Sequence, residues 1–393
     1  MKRAPGVELT GYLTAAVGVG EAARRYVGGL RAAGVPVLEH DVPLAGRDIV
    51  APDMAAGPRP RADEVDFNLF CLNPEQMVPY LDDSGAPTFH DRASIGIWSW
   101  EVDVVPASWR SASTGLAEVW TYSQFAARII GTELDVPVLG FPPPLTEPHR
   151  CESTSARLPL QLAEGFKVLT MFDYLSTLER KNPLGAIAAY RKAFQPDEGA
   201  MLIVKSVNGQ HRPERYAEVS AAIGGRRDII MFDQTVSGLE RDALVNACDC
   251  YLSLHRSEGH GLPLAEAMAL GKPVVATAYG GNVEFMTDSN SYLVRWKPVR
   301  VGEQVEHYPA GANWAEPDLD HAAQLLGDIY RDKEKAQSRA QQAQTDVQRL
   351  LAPDVVGLRM RGRLEELRGR MARRYCRSLA RRFTRRWRVG WTG

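Results

Sequence analysis

The stretch LHRSEGHGLPLAEAMALGKPVVATAYGGN, residues 254–282, decides the fold of this chain. It begins at the end of an apolar run and continues through a glycine-bearing break into a segment of helix formers over 262–270. A second apolar run over 273–277 and a glycine pair at 280–281 follow. This order predicts a βαβ unit with a glycine-rich loop at the carboxyl end of each strand. Open α/β sheets bind ligands there, and a helix N-terminus suits a phosphate, so the stretch predicts a nucleotide site.

Two carboxylates in this stretch narrow the kind of ligand. Glu258 lies in the glycine-bearing loop, and Glu266 lies eight residues later in the predicted helix. Carboxylates beside a phosphate site are suited to accepting hydrogen bonds from sugar or ribose hydroxyls. For two glutamates taken alone, a helix cap at Glu258 and a solvated Glu266 would be the simpler interpretation. The surrounding residues are therefore needed to choose between hydroxyl binding and these structural roles.

The complete string resembles the signature of the family 4 retaining glycosyltransferases. That signature reads EGxGLPxxEAMAxGxPVVA, with the acids spaced as E-x7-E and GGNxE after it, and the match runs from Glu258 to Glu284. The wider resemblance covers about residues 6–370. It implies an α/β fold called GT-B, in which two Rossmann-like doubly wound domains face a ligand cleft. It also implies a nucleotide-diphosphate sugar as the donor.

The resemblance assigns roles to residues in and near the signature. Glu266 is the ribose ligand, and the base lies near Thr235 and Val236. Glu258 addresses the hydroxyls of the donor sugar and counts among the catalytic residues. The donor-binding backbone that follows it is formed by Gly259, His260, Gly261 and Leu262.

Length and composition set the outer limits of the prediction. A chain of 393 residues exceeds one typical core, so two domains are expected. With 45% apolar and 24% charged residues, the composition is that of an ordinary globular protein. We expect neither a transmembrane helix nor a signal peptide. The five scattered cysteines, including a C-x-C without further zinc ligands, indicate small buried side chains in a reduced cytoplasm.

Two series of alternating strands and helices lie on either side of a proline-rich segment at 141–148, which is typical of a linker. This pattern predicts an N-terminal Rossmann-like acceptor domain over 1–144 and a C-terminal donor domain over 145–352. A helix over 353–370 is expected to return to the N-terminal domain, and 371–393 form a basic tail.

The individual elements follow from the same periodicity. Predicted strands are 6–12, 35–40, 65–72, 94–100, 120–123 and 136–141 in the first domain, then 166–172, 201–207, 228–232, 249–254, 273–277 and 291–294 in the second. Predicted helices are 21–33, 74–81, 106–115 and 124–130, then 182–194, 213–223, 237–247, 262–270 and 319–350.

Glycosyl transfer from a nucleotide sugar builds negative charge on the leaving diphosphate. Backbone N–H groups, a helix N-terminus and a cation can neutralise it, so we expect no metal and no other cofactor. The one Asp-x-Asp, Asp318 and Asp320, opens a predicted helix, where N-capping is the favoured interpretation. Gly18 and Gly20, predicted as donor-binding, resemble the family's glycine loop, which lets backbone approach the diphosphate or the acceptor closely.

The cation expected by resemblance is Lys181, which precedes a helix with an N1 proline. The family commonly has an arginine directly after the preceding strand, but residues 172–174 read Phe-Asp-Tyr here. Arg180 and Lys205 are the candidates for this second cation. Lys181 and Arg180 are accordingly predicted as catalytic, and Lys205 as donor-binding. Solvated charges are the alternative.

The acceptor side is predicted at the end of a strand that reads IWSWE, residues 97–101. Trp100 and Glu101 are assigned to it because aromatic faces stack on sugars and a carboxylate binds hydroxyls. Packing in the core is the alternative, and for Trp98 the two interpretations are equally supported. His90 is a further candidate.

The arginine-rich end of the chain needs its own explanation. From Arg359 onward there are thirteen Arg and two Glu, a charge of +11, while the whole chain carries −1. Apolar residues recur every four positions, which predicts a basic amphipathic helix that binds an anionic membrane surface. They are Met371, Tyr375, Leu379, Phe383, Trp387 and Trp391. Packing on the N-terminal domain and nucleic-acid binding are the alternatives.

The resemblance, together with these observations, predicts a retaining glycosyltransferase that moves a hexose from a GDP- or UDP-sugar to a glycan or lipid-linked acceptor. We expect a cytoplasmic enzyme, peripheral on the inner face of the plasma membrane, with no nucleic-acid partner. A nucleotide-sugar 2-epimerase is one alternative, although it should carry more acid/base residues in its N-terminal loop. The other is a catalytically silent module that binds nucleotide sugars, against which the intact Glu258, Glu266 and Lys181 argue.

Overall fold

The computed structural model describes residues 3–44, 57–84, 92–145, 160–303, 305, 307–309 and 311–388, and for residues 84 and 374–388 it describes the backbone only. The strands are β1 Gly6–Gly11, β2 Val37–Asp41, β3 Val65–Cys71, β4 Ala93–Trp98, β5 Glu118–Thr121, β6 Val138–Gly140, β7 Phe166–Asp173, β8 Ala200–Val207, β9 Ile229–Asp233, β10 Cys250–Ser253, β11 Val274–Thr277, β12 Tyr292–Val294, β13 Trp296–Arg300 and β14 Asn313–Pro317. The helices are α1 Gly18–Ala32, α2 Pro74–Ser84, α3 Ser108–Ala112, α4 Gln124–Gly131, α5 Leu178–Lys181, α6 Pro183–Ala193, α7 Pro213–Ile223, α8 Gly238–Ala247, α9 Leu262–Ala269, α10 Leu319–Arg331, α11 Lys333–Leu351 and α12 Pro353–Arg388.

Twelve of these strands form two parallel sheets of six. The first sheet has the order β2-β1-β3-β4-β5-β6 and the second the order β12-β11-β10-β7-β8-β9. In both, the strand order reverses beside the first strand of the series, as in a doubly wound fold. The predicted class, two doubly wound α/β sheets with a C-terminal helical extension, is confirmed.

The second sheet is buried on both faces, which explains its nearly continuous apolar strands. Val168 packs in one cluster with α6 and α10, while its neighbour Leu169 packs in another with α9 and α11. Leu202 and Ile203 divide in the same way. Successive strand residues point to opposite faces, so helices cover both sides and the loops at the carboxyl ends stay open for a site.

Two element predictions were wrong in detail. The predicted helix 319–350 is two helices, because Asp332 leaves the helical conformation and its Oδ1 accepts a hydrogen bond from Lys335 N at 3.0 Å, which caps α11. The predicted helix 182–194 is preceded by the short helix α5. Asn182 adopts a left-handed conformation between the two, with φ of 53°, and its side chain caps α6 through Gly185 N at 3.1 Å.

The chain divides into two compact units, each made of separate segments. One comprises Met1–Trp98, Ser113–Val119 and Ala352–Gly393, and the other comprises Ser99–Ala112 and Trp120–Leu351. The predicted domain boundaries remain predictions.

In the first unit, α12 packs against α1 at a close crossing. A Cβ at Gly357 would collide with the carbonyl oxygen of Gly29, so the helix backbones meet directly. Further along α12, Arg363 donates to the fully buried Glu118, with Nη2 at 2.6 Å from Oε2. The helix therefore places a guanidinium against the buried charge of Glu118. Within the described part of the chain, no helix combines the length and the apolarity that crossing a membrane requires.

Candidate functional site

The site forms in the second unit, where the loop after β10 is held by the glycine pair after β11. Gly281 N donates to the carbonyl oxygen of Glu258 at 2.7 Å. Gly280 has φ of 109°, and a Cβ there would lie 2.5 Å from the same oxygen. Only glycine accommodates both the conformation and the close approach. The two glycine-rich loops of the opening stretch therefore form one structure around Glu258.

A compact ion cluster lies at the centre of this structure. Lys181 Nζ donates to Glu258 Oε1 at 2.5 Å, and Arg180 Nη1 lies 3.4 Å from Glu258 Oε2. Arg180 Nη1 also donates to the carbonyl oxygen of Ser257 at 3.1 Å. The short helix α5 supplies both cations, and all three charged side chains are largely buried. The structure thus brings together the three residues that were predicted as catalytic.

Burial and mutual charge perturb the whole cluster. Burial alone would raise the pKa of Glu258, but the charges of Lys181 and Arg180 outweigh it and lower that pKa to about 2. Burial lowers the pKa of Lys181, and the charge of Arg180 adds to this while Glu258 opposes it. Glu258 is therefore a carboxylate at neutral pH. In its ammonium form, Lys181 uses one of its three N–H donors in the bond to Glu258. The remaining donors can serve a ligand anion.

Tyr308 joins the cluster from the loop between β13 and β14, and nothing in the sequence singled it out. Its hydroxyl donates to Glu101 Oε2 at 3.2 Å. Burial alone would lower the pKa of Arg180. The nearby Tyr308, Glu258 and Glu101 outweigh burial, so the pKa of Arg180 is raised. The predicted acceptor-side residue Glu101 therefore lies beside the predicted catalytic Arg180. Ser257, also missed, donates through its hydroxyl to the carbonyl oxygen of Glu101.

The two tryptophans at this strand end are both enclosed. Trp98 is fully buried, so core packing, one of its two interpretations, is what the structure shows. Trp100 is 5% exposed, donates through Nε1 to the carbonyl oxygen of Val104 at 3.0 Å, and packs 5.6 Å from the Tyr308 ring. Its acceptor-side role remains a prediction. His90 lies outside the described residues.

A buried histidine, His255, was also missed, because it follows the apolar run of β10 and lies outside the signature that begins at Glu258. Its Nε2 donates to the carbonyl oxygen of Tyr279 at 3.1 Å, and its Nδ1 accepts from Ser253 Oγ at 3.0 Å. Burial lowers the pKa of His255, which favours the neutral ring that this pair of bonds requires. His255 thereby ties the loop after β11 to the end of β10.

The predicted ribose ligand lies on the adjoining helix. Glu266 is mostly buried in α9, and its Oε1 is 3.4 Å from Arg241 Nη1. Gly261 precedes the helix with φ of 94°, which only glycine adopts readily, and Leu262 is its first residue. His260 is buried with its ring 5.2 Å from that of Phe285. This burial fits the interpretation of His260 as an ordinary core histidine.

The other predicted donor-binding residues of this unit meet at the ends of β8 and β9. Lys205 is buried, and its Nζ donates to the carbonyl oxygens of Ser206 at 2.8 Å and Gln234 at 2.6 Å. Burial lowers the pKa of Lys205 to about 8. Thr235 is exposed and Val236 is partly buried directly beyond Gln234. Lys205 therefore fixes the segment that was predicted to hold the base.

Gly18 and Gly20 belong to the other unit and form the first turn of α1. A Cβ at Gly20 would collide with the carbonyl oxygen of Tyr12, whereas one at Gly18 would meet no atom within 4 Å. Gly20 is therefore required for packing, and Gly18 leaves the helix start open.

The Asp-x-Asp pair, Asp318 and Asp320, lies at the start of α10. Asp318 caps α10 by accepting from His321 N at 3.0 Å, as its capping interpretation predicts. Among the described residues, no group of three or more His, Cys, Asp or Glu side chains is arranged to hold a metal ion.

A family model matches the part of the chain that carries this site. Residues 168–297 match the model described as glycosyl transferases group 1. They include Lys181, Glu258 and Glu266. The match supports a glycosyltransferase of the GT-B superfamily.

Curated relatives match parts of the chain. Trehalose synthase from Pyrococcus horikoshii is 24% identical over 226 residues, 53% of this chain and 54% of the relative. D-inositol 3-phosphate glycosyltransferase from Stackebrandtia nassauensis is 29% identical over 186 residues, 44% and 42% of the two chains. This chain thus spans about half the length of these relatives.

Solved structures match nearly the whole chain. A glycosyltransferase from Rickettsia africae has a TM-score of 0.66 at 14% identity, covering 93% of this chain and 99% of its own. HepE from Anabaena, in complex with UDP and glucose, has a TM-score of 0.65 at 14% identity, with coverage of 92% and 100%. These likenesses confirm the predicted GT-B fold class.

Proposed function

We propose that this protein is a retaining glycosyltransferase that moves a hexose from a GDP- or UDP-sugar to a glycan or lipid-linked acceptor. The observation that carries the proposal is the buried cluster of Lys181, Arg180 and Glu258 beside two glycine-rich loops. Charge develops on the leaving diphosphate in such a transfer, and buried cations stabilise it more strongly than water does. The family model and the relatives named above support the reaction class.

The proposed reaction needs no general base from the protein. The bond between the sugar C1 and the diphosphate oxygen breaks, and the acceptor hydroxyl oxygen bonds to C1 on the same face. The hydroxyl proton passes to the departing diphosphate oxygen. Lys181 and Arg180 stabilise that diphosphate, Glu258 positions the donor sugar through its hydroxyls, and Glu266 binds the ribose.

Thermal unfolding with GDP, UDP and ADP tests the donor site. Binding to the folded state alone raises the unfolding temperature by mass action, so one of these nucleotides should protect the protein. Incubation with the corresponding nucleotide sugars should then release that nucleotide, with the C2 configuration of the sugar unchanged. Release after inversion at C2 would identify the epimerase instead, and protection without any turnover would identify the silent module.

Glu266→Ala is expected to weaken binding of the protecting nucleotide by ~1–3 kcal/mol, because one or two ribose hydrogen bonds to a charged acceptor are lost. Calorimetric titration of the nucleoside diphosphate measures the change. Glu334→Ala is the control, because Glu334 is an exposed glutamate in the first turn of α11. Unchanged affinity in Glu266→Ala would remove Glu266 from the ribose site.

We also propose that the basic tail holds the enzyme on an anionic membrane surface. The helix α12 extends to Arg388, and Met371, which begins the apolar stripe, is 40% exposed. The later side chains of the stripe, from Tyr375 to Trp391, lie outside the described residues. The proposal is supported by the helical backbone and by the arginine-rich sequence, since each cation near an anionic leaflet contributes ~1 kcal/mol.

Truncation after Gly369 is expected to reduce sedimentation with phosphatidylserine vesicles at least ~10-fold at low salt, since several cations are removed. The unfolding temperature should change little. Vesicles of phosphatidylcholine alone are the control and should bind neither form. If the full-length protein does not bind anionic vesicles, or if truncation unfolds it, the tail serves the fold and not membrane binding. If RNA displaces it from the vesicles completely, nucleic-acid binding becomes the better account.

A further inference from the structure

A line of aromatic rings, two partly buried and one exposed, adjoins the loop that holds Glu258, and no role proposed so far uses it. The rings of Phe125 and Tyr279 are 5.3 Å apart, and those of Tyr279 and Trp296 are 4.7 Å apart. Trp296 is 38% exposed, a large fraction for the largest apolar side chain. We call these three rings the aromatic strip.

Hydrogen bonds hold the backbone beside two rings of the aromatic strip and the third ring itself. Trp296 Nε1 donates to the carbonyl oxygen of Ala278 at 2.8 Å, so the indole is held by its polar edge. Phe125 N donates to Glu284 Oε1 at 2.7 Å. Tyr279 is held by the bond from His255 to its carbonyl oxygen. An indole that is already held in place loses less side-chain entropy when a ligand binds to it.

Polar groups accompany the strip along the same face of the β13–β14 hairpin. Trp296 and Arg300 lie four residues apart on β13, so their side chains share one face. Arg300 is exposed and pairs in register with Asn313, whose N and Nδ2 donate to Asp103 at 2.6 and 2.8 Å. An apolar ring and a guanidinium therefore lie on one face, about 14 Å apart along the strand.

We propose that this face is a carbohydrate subsite that binds an oligosaccharide acceptor beyond the sugar that reacts. Sugar rings present C–H groups on their faces and hydroxyls around their edges, so they fit aromatic rings flanked by a carboxylate and a guanidinium. The strip is also continuous with the catalytic loop: Tyr279 directly precedes Gly280, and Gly281 bonds to the backbone of Glu258. The inference rests on the proposed function, because it names the substrate class of that site.

Calorimetry on the full-length protein with maltotetraose, mannotetraose, chitotetraose and glucose tests the subsite. At least one tetrasaccharide should bind, and it should bind at least tenfold more tightly than glucose. Trp296→Ala should weaken this binding by about tenfold, whereas Trp296→Phe, which keeps an aromatic ring, should stay within about threefold. Arg300→Ala is a second test variant, in which the tetrasaccharide affinity should fall about threefold. Leu358→Ala, at an exposed apolar residue of α12, is the neutral control.

Protection by UDP or GDP is measured on the same samples, so that the two proposals fail separately. Nucleotide protection with no tetrasaccharide binding, or with binding that Trp296→Ala and Arg300→Ala leave unchanged, overturns the subsite and leaves the proposed function standing. Tetrasaccharide binding through Trp296 without nucleotide protection supports the subsite and overturns the transferase. Binding of anionic vesicles through Trp296 in place of any tetrasaccharide also overturns the subsite, because the strip would then be a membrane surface.

Discussion

Replacing Lys181 by alanine is expected to lower kcat about 100-fold and to change the donor KM far less. The charge of the leaving diphosphate peaks in the transition state, so a cation directed at it stabilises that state more than it stabilises the bound donor. Lys181 suits this role because Glu258 holds its ammonium at 2.5 Å in a largely buried position. Steady-state release of the nucleotide from its sugar measures both constants without knowledge of the acceptor.

A matched control for this substitution is Lys192→Ala. Lys192 is also ion-paired, at 2.7 Å from Asp320, but it is half exposed on the neighbouring helix α6. It should retain full turnover. If Lys181→Ala raises only KM, Lys181 is a binding residue, and the catalytic cation has to be Arg180 or Lys205. We also propose that catalysis is metal-independent, so turnover should survive EDTA; its abolition by chelation, with recovery on adding Mg²⁺, would refute this part.

Glu258→Gln is expected to lower the free energy of unfolding by about 3 kcal/mol at pH 7, in addition to impairing catalysis. The pKa of Glu258 falls from 4.5 to about 2 in the folded protein, and each pKa unit corresponds to about 1.4 kcal/mol. The neutral amide also leaves Arg180 and Lys181 buried without their counter-charge, and breaking such a buried pair is costly. Denaturant unfolding at pH 7 measures the difference.

The same substitution has a characteristic dependence on pH. A carboxyl whose folded-state pKa is depressed contributes stability that is complete above its unfolded pKa, here 4.5, and is lost as pH falls through about 2. The gap between wild type and Glu258→Gln should therefore shrink to roughly half by pH 3. Glu334→Gln, at an exposed site on α11, should show no gap at either pH. A gap of the same size at pH 7 and pH 3 would mean that lost packing, and not charge, causes it.

The parts of the site that sequence could predict are those encoded within short segments. The loop at Glu258 and the glycine pair at 280–281 lie within one stretch, and the glycines there answer a local need of the backbone. The adjacency of Lys181 and Glu258 spans 77 positions and was inferred only through the resemblance, because pattern alone does not pair distant charges.

Long-range contacts account for what sequence missed. The bond between Tyr308 and Glu101 spans 207 positions, and neither residue stands in a pattern that points to the other. The strand β13 reads WKPVR and is exposed along its whole length, so it lacks the alternation by which a half-buried strand is recognised. In contrast, one residue, Asp332, split a helix whose periodicity continues unbroken across it, because its capping bond outweighed the helix propensity.

The packing of α12 on α1 has a consequence for the order in which the protein is made. During synthesis the ribosome delivers α1 and Glu118 more than two hundred residues before it delivers Gly357 and Arg363. The unit Trp120–Leu351, with its own two apolar clusters, has all but Ser99–Ala112 in one continuous segment and can assemble as it emerges. Until α12 is synthesised, Glu118 has no contact with Arg363, and the face of α1 that packs on α12 is exposed to solvent. The unit that contains the N-terminus is therefore translated first but completes its folding last.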